Sequence, residues 1–219
     1  MLGTNPKRSI EVSSGQILKV QDIFLTIQGE GPLAGRGAVF IRLGGCNLAC
    51  KFCDTEFESF YEANIDEIVN QVVEKTQFNS VRLIIITGGE PFRQSINFLC
   101  EELLKLGYTI QIETNGTIYQ KIPSNVTIVC SPKSSNGKYH HVRPEILEHL
   151  IAYKFLISSN LEAYKKVPDW EFGDIPVYIQ PIDEYSTDIN KKNNMLAVDI
   201  SIEKGYILSS QMHKIIGIK

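Results

Sequence analysis

No long apolar run occurs in this 219-residue chain. The longest stretches, such as LIIIT at 83–87, are strand-sized, too short for a helix that crosses a bilayer. The opening residues, MLGTNPKRSIEV, lack the apolar centre of a secretory signal. There is no basic block, and the formal net charge is −3, so the chain carries no electrostatic footprint for duplex nucleic acid. Low-complexity tracts, long linkers and fixed-period repeats are missing as well. Cysteine is sparse outside one cluster: Cys100 and Cys130 stand alone, and five cysteines so distributed are not a disulfide framework. These absences predict a soluble, cytoplasmic protein with no membrane or nucleic-acid partner, and they suit a small-molecule substrate.

Hydrophobic residues make up 43% and charged residues 21%, the balance of a single globular domain over 1–219 with a proper core. A strand-then-helix rhythm runs along it. Ile17–Ile27 and Ala38–Leu43 read as strands, and Ile65–Lys75 carries a helical apolar stripe capped by Asn64 or Asp66. Val81–Thr87 reads as a buried strand, and a helix from about Ser95 to Leu106 ends at Gly107. Strands follow at Thr109–Glu113, Thr127–Cys130, Tyr153–Ile157, Val177–Gln180 and Tyr206–Leu208, with helices at Pro144–Leu150, Asn160–Val167 and Thr187–Glu203. Such alternation predicts parallel strands and an α/β fold; two packed antiparallel sheets would need more hairpin signals.

The polar motifs fall just past the carboxyl ends of these strands. The cysteine loop, at about 44–60, follows 38–43, TGGEP follows 81–86, ETN follows 109–112, SPK follows 127–130 and QPID follows 177–179. Barrel and open-sheet α/β enzymes build their sites on that side. Within the loop, Cys46, Cys50 and Cys53 have the spacing C-x3-C-x2-C. A structural zinc site and an ordinary iron–sulfur carrier each take four protein ligands, whereas three close thiolates leave one metal position open to a small molecule. Gly44 and Gly45 are expected to let the backbone approach bulky inorganic sulfide. A zinc site completed by Cys100 or Cys130 is the alternative, although structural zinc motifs usually come as two matched pairs. Cys100 lies among apolar residues of a predicted helix and Cys130 ends a strand, so both read as small buried residues.

The run CNLACKFC followed by GGEP resembles the radical S-adenosylmethionine superfamily. FLTIQGEG at 24–31, Arg42 and CDT at 53–55 give a narrower resemblance to the 7-carboxy-7-deazaguanine synthases, which extends to QPID and to the closing QMHKIIGIK. That resemblance implies a partial (β/α)6 TIM-like barrel of about six parallel strands, with fewer covering helices than a full barrel of roughly 250 residues. It further implies a [4Fe-4S] cluster on the three cysteines and S-adenosylmethionine on the open iron. Phe52, Cys53, Asp54, Gly89, Glu90, Glu113, Ser131, Pro132, Lys133 and Gln180 would then border the cofactor. Ile27, Gln28, Gly29, Glu30, Arg42 and Thr87 would meet a pterin substrate, and Thr55 would bind Mg2+.

The residues taken alone are less specific. QGEGP reads as a polar turn, although Gln and backbone groups suit the amide-like edge of a pterin. Thr55 reads as a turn residue. Arg42, in an otherwise apolar strand, suits a substrate carboxylate; an internal pair with Glu30 or Glu90, or an outward-facing side chain, are its other readings. His140 and His141 are adjacent and diverge, so they read as loop residues, and Lys191 with Lys192 reads as a solvated helix face.

By resemblance, the activity is a radical carbon–nitrogen lyase that makes 7-carboxy-7-deazaguanine from 6-carboxy-5,6,7,8-tetrahydropterin, with loss of ammonia, on the way to queuosine-type bases. A homodimer and an electron donor such as flavodoxin or ferredoxin are implied too. A glycyl-radical-enzyme activase with a protein partner, and a non-catalytic zinc or iron–sulfur module, are the competing readings. Neither accounts for TIQGEG, the CDT threonine and the rim of motifs together.

Overall fold

The structure is a computed structural model that describes residue 3, residues 5–135 and residues 137–218, so Lys219, the last residue of QMHKIIGIK, lies outside it. Strand β1 (Ile17–Ile27) pairs antiparallel with β2 (Gly37–Leu43) and with β3 (Tyr61–Asn64). Helix α1 (Ile65–Thr76) leads to β4 (Leu83–Gly88), and α2 (Asn97–Lys105) leads to β5 (Thr109–Thr114). Next come β6 (Thr127–Cys130), a small hairpin of β7 (Ser134–Ser135) and β8 (Lys138–Tyr139), then β9 (Leu150–Ile157) and β10 (Val177–Pro181). Helix α3 (Thr187–Lys204), β11 (Ile207–Leu208) and the short α4 (Met212–Ile216) complete the order. The main sheet has the order β11-β10-β9-β6-β5-β4-β2-β1-β3 and is parallel from β2 through β11. This is the expected α/β architecture with a largely parallel sheet.

Local chemistry explains the elements. Asn64 caps α1 reciprocally: its side chain accepts from the Glu67 amide and Glu67 accepts from the Asn64 amide, both at 2.9 Å. Ile65, Ile68 and Val72 are buried on one stripe of that helix. Gly107, at φ +82, sits just past α2 in the left-handed region. Leu83 through Ile86 are all buried because β4 is central and covered on both faces.

Alternation along the strands makes two apolar layers. Val39, Ile41, Ile84, Ile86, Ile110, Ile112, Tyr153, Phe155 and Ile179 belong to the large outer core against the helices. Ala38, Leu83 and Ile85, with Leu33 and Phe40 packed on them, form a small cluster on the opposite, inner face. Inside the bend of the sheet, that cluster is the floor on which the polar site stands.

Three expectations need correction. Pro144–Glu148 is a single 3-10 stretch, not the start of a helix through Leu150, because Leu150 already belongs to β9. At Asn160–Val167 only Glu162–Tyr164 is helical, as a 3-10 turn. Ser158 Oγ accepts from the amides of Asn160 at 3.0 Å and Leu161 at 2.9 Å, which fixes a side-chain turn there. Irregular chain carrying Trp170 and Phe172 then covers the outer face of β9, with ring centroids 5.8 Å and 5.6 Å from Phe155, where a helix would otherwise lie. The third is the edge of the sheet: the strand–helix rhythm predicted parallel strands, but β1 runs antiparallel to both β2 and β3. Among the described residues, no helix is long and apolar enough to cross a membrane.

Candidate active site

Five strands carry a polar inner-face side chain in their carboxyl-terminal halves: Arg42 on β2, Thr87 on β4, Glu113 on β5, Lys154 on β9 and Gln180 on β10. All five line one cavity of about 430 Å3, a size suited to a small ligand. The three cysteines border the same space. So do Phe52, Asp54, Thr55, Gly89, Ser131 and Lys133, and the segment Ile27, Gln28, Gly29 and Glu30 closes one side. Of the cluster, cofactor, substrate and Mg2+ residues that the resemblance implies, only Glu90 and Pro132 do not line the cavity; Glu90 is fully buried.

The cysteine loop leaves β2 directly. Cys46 is buried, its carbonyl accepts from the Arg8 amide at 2.7 Å, and its sulfur accepts from the Leu48 amide at 3.4 Å. Burial pushes the Cys46 thiol up to about 12 and raises Cys50 and Cys53 as well. All five cysteines are free, and Cys100 and Cys130 are buried in the core as expected. Among the described residues, no three His, Cys, Asp or Glu side chains converge on a position for a single metal ion. The three thiols instead surround part of a larger cavity, a donor set that fits an inorganic cluster with one corner turned to the open space.

Gly44 and Gly45 also meet close protein neighbours. A Cβ on Gly44 would lie 2.5 Å from the Phe60 ring, and one on Gly45, at φ +76, would lie 2.7 Å from the Arg93 guanidinium. Close packing by protein side chains is by itself enough to require these glycines. Gly89 is tighter still, its Cβ position being 2.0 Å from the Gly45 carbonyl oxygen, which seats the TGGEP turn directly on the cysteine loop.

Under the wall, the Glu90 carboxylate accepts from Thr114 Oγ1 at 2.7 Å and from the amides of Asn115 at 2.8 Å and Phe92 at 3.1 Å. Glu90 thus staples the β4 turn to the β5 turn. Complete burial outweighs those donors and pushes its carboxyl up to about 7. The folded protein therefore holds this proton more tightly than the unfolded chain does. Its stabilising contribution is full below the ordinary carboxyl range and declines as pH rises through 7. Glu90→Gln is expected to remove a decline on the order of 3 kcal/mol between pH 4.5 and 7, read by denaturant unfolding at both pH values. Identical pH slopes for the two proteins would contradict this assignment.

A buried ion network forms the opposite wall. The Lys154 ammonium contacts Glu30 Oε2 and lies 3.5 Å from Glu113 Oε2. Gln28 Nε2 donates to Glu113 Oε1 at 2.8 Å, and Gln211 Nε2 donates to Glu30 Oε1 at 2.9 Å. Burial alone would raise the Glu30 carboxyl, but Lys154 overrides it and holds Glu30 well below the usual range. Neither competing pair for Arg42 forms: Glu30 is taken by Lys154, and Glu90 by Thr114 and Asn115. The Arg42 side chain instead faces the cavity, 5.2 Å from the Phe24 ring centroid, and its Nε is buried without a hydrogen-bond partner. Burial lowers its pKa, a cost that an incoming anion would offset.

Sequence reasoning missed Lys154, Gln211, His213 and Lys214 as cavity residues. Lys154 had a usable signal, a lone charge in LIAYKFLI like Arg42 in AVFIRL. His213 had only the resemblance of the closing QMHKIIGIK: it reaches the site because the C-terminal segment folds back over Gly29, whose Cβ position lies 2.2 Å from the imidazole Nδ1. His140 proves to be a loop residue, paired with Ser135 Oγ at 2.7 Å, and Lys191 and Lys192 are exposed on α3. Asn193, among the weak helix formers of that helix, is buried. Its amide donates to the Ile182 carbonyl at 2.9 Å and its oxygen accepts from the Ser159 amide at 2.7 Å, which joins α3 to the ends of β9 and β10.

Comparison with known proteins agrees with this geometry. Residues 40–167 match the model of the Radical SAM superfamily. A 7-carboxy-7-deazaguanine synthase from Rickettsia prowazekii is 48% identical over all of this chain and 96% of that protein. One from Rhodospirillum rubrum is 32% identical over the full length of both. A crystal structure of QueE from Escherichia coli superposes with a TM-score of 0.74 at 26% identity, covering 93% of this chain and all of that one.

Proposed function

We propose, for a chain that belongs to the radical SAM superfamily and within it to the 7-carboxy-7-deazaguanine synthases, that the cavity at the strand ends carries out that synthesis. The protein is a radical SAM lyase that converts 6-carboxy-5,6,7,8-tetrahydropterin to 7-carboxy-7-deazaguanine with loss of ammonia. The observation that carries this reading is the meeting of three thiols and the partnerless Arg42 Nε in one cavity. A glycyl-radical activase or a zinc module has no use for that arginine.

When bound, the [4Fe-4S] cluster and S-adenosylmethionine supply one-electron radical chemistry; the protein supplies binding, orientation and exclusion of water. Cys46, Cys50 and Cys53 would hold the cluster. Arg42 would grip the substrate carboxylate with its fork of N–H donors. Gln28 and the backbone of Ile27 and Gly29 suit the amide-like pterin edge, with Glu30 and Thr87 beside them. Lys133, held over Ser131 by contacts of 2.7 Å to both its oxygens, places a half-buried cation on the cofactor side. Phe52 is braced edge-on by Tyr164, with centroids 4.9 Å apart, and offers an apolar surface at the same place. Thr55 supports a Mg2+ site, because Mg2+ accepts few protein ligands and completes its shell with substrate and water. The enzyme would also need an electron donor, such as flavodoxin or ferredoxin, and would act as a homodimer.

Two measurements test this. Anaerobically reconstituted protein is expected to form the deazaguanine carboxylate from the carboxypterin; cofactor cleavage without that product would sink the substrate assignment. Arg42→Met is expected to lower kcat/KM about 10- to 100-fold, mostly through KM, the loss of one charge-assisted hydrogen-bonded contact. An unchanged KM would remove Arg42 from the substrate.

A further inference from the structure

Asp54 and Thr55 lie between β2 and β3 in chain without regular structure, so neither a ladder nor a helix fixes the segment that follows Cys53. Long-range side-chain tethers hold it from opposite sides. Asn5 Nδ2 donates to the Thr55 carbonyl at 2.8 Å. Lys214 Nζ donates to Asp54 Oδ2 at 2.6 Å and to Asp183 Oδ2 at 3.1 Å. Asp183 is itself anchored, because its Oδ1 accepts from the Tyr185 amide at 3.0 Å and from Asn190 Nδ2 at 2.7 Å. One ammonium therefore joins the cysteine loop at one margin of the cavity to the end of β10 at the other, and all three residues line that cavity.

The segment that carries Lys214 closes the gap between the ends of β1 and β10. The Ser209 amide donates to the Ile179 carbonyl at 2.8 Å, and Ser209 Oγ accepts from the Gly31 amide at 3.0 Å. The Met212 amide donates to the Gly29 carbonyl at 3.0 Å. Apolar anchorage is slight, since Ile215, Ile216 and Ile218 are all exposed. A segment seated mainly by polar contacts opens at low free-energy cost unless those contacts act together.

We propose that Lys214 is a positioning residue, whose bridge between Asp54 and Asp183 fixes the segment after Cys53 and seats residues 209–218 across the open side of the barrel. The inference rests on the synthase reading only where S-adenosylmethionine is used as a probe. Amide exchange in the cluster-free protein needs no cofactor. There, Lys214→Met is expected to speed exchange over residues 50–58 and 209–218 at least about fivefold, with β4 and β5 unchanged as the internal reference. Asp183→Asn, which keeps Oδ1, should reproduce the effect. The double variant should be no worse than the more severe single one, and Lys214→Arg should recover exchange to within about twofold of the parent. In reconstituted protein at matched iron content, S-adenosylmethionine should bind Lys214→Met about fivefold more weakly.

Unchanged exchange, additive single effects, or an arginine variant no better than methionine would each overturn the proposal. Failure of the synthase reading would show separately, as absence of product from the parent protein.

Discussion

Cys50→Ala is expected to bring product formation down to the uncatalysed background and to leave the reconstituted protein without its full complement of iron. Three thiols are the minimum that hold a cluster while one corner stays open, so losing any one leaves no substitute. Nothing nearby can replace it, because the remaining two cysteines are buried elsewhere in the core. Cys100→Ala is the matched control. That thiol packs in α2 behind the sheet, and its removal is expected to cost about 1 kcal/mol of stability while iron and turnover persist. Iron analysis and turnover on both variants check the contrast. Loss of iron in Cys100→Ala, or full turnover by Cys50→Ala, would place the metal elsewhere.

Lys154→Met should have the largest effect on stability. The ammonium is 6% exposed and stands between Glu30 and Glu113, so methionine leaves two mostly buried carboxylates facing each other without a cation. Breaking a buried pair by removing one partner costs about 3–5 kcal/mol, on the order of 10 °C in Tm for a domain of this size. The pH dependence carries the sign. In the parent protein Glu30 is held low, so its contribution is present above the ordinary carboxyl range and is lost only in strong acid. Without Lys154 the same burial raises the Glu30 carboxyl, and the variant regains stability as pH falls from 8 towards 5. Denaturant unfolding at those two values measures it. A loss below about 1 kcal/mol at pH 8 would mean that water already compensates these charges.

What the sequence disclosed, and what it hid, follows the range of the interactions. Apolar runs such as LIIIT and TIVC declare strands because burial on both faces leaves no polar alternation to misread. Their carboxyl ends could be marked by polar motifs alone, and the cysteine loop, TGGEP, ETN, SPK and QPID do meet at one cavity. Strand β3 was illegible because only Ala63 of YEAN is buried; pairing with Ile17–Val20 of β1, not any pattern of its own, makes it a strand. The partners of Glu90 were hidden for a similar reason. Its neighbours in TGGEP touch the cavity, but its carboxylate turns back to Thr114 and Asn115, a contact that spans 24 and 25 residues. Lys214 pairs with Asp54 across 160 residues, and no local signal encodes such a distance.

The stoichiometry of sustained anaerobic turnover tests the central claim most directly. Protein reconstituted with iron and sulfide would be given S-adenosylmethionine, a reductant, Mg2+ and 6-carboxy-5,6,7,8-tetrahydropterin, and both product and remaining cofactor would be counted. The expected result is many equivalents of 7-carboxy-7-deazaguanine for each S-adenosylmethionine lost. One cofactor consumed per turnover, or cofactor cleaved with no deazaguanine formed, would contradict the reading of this cavity as a synthase that returns its cofactor intact.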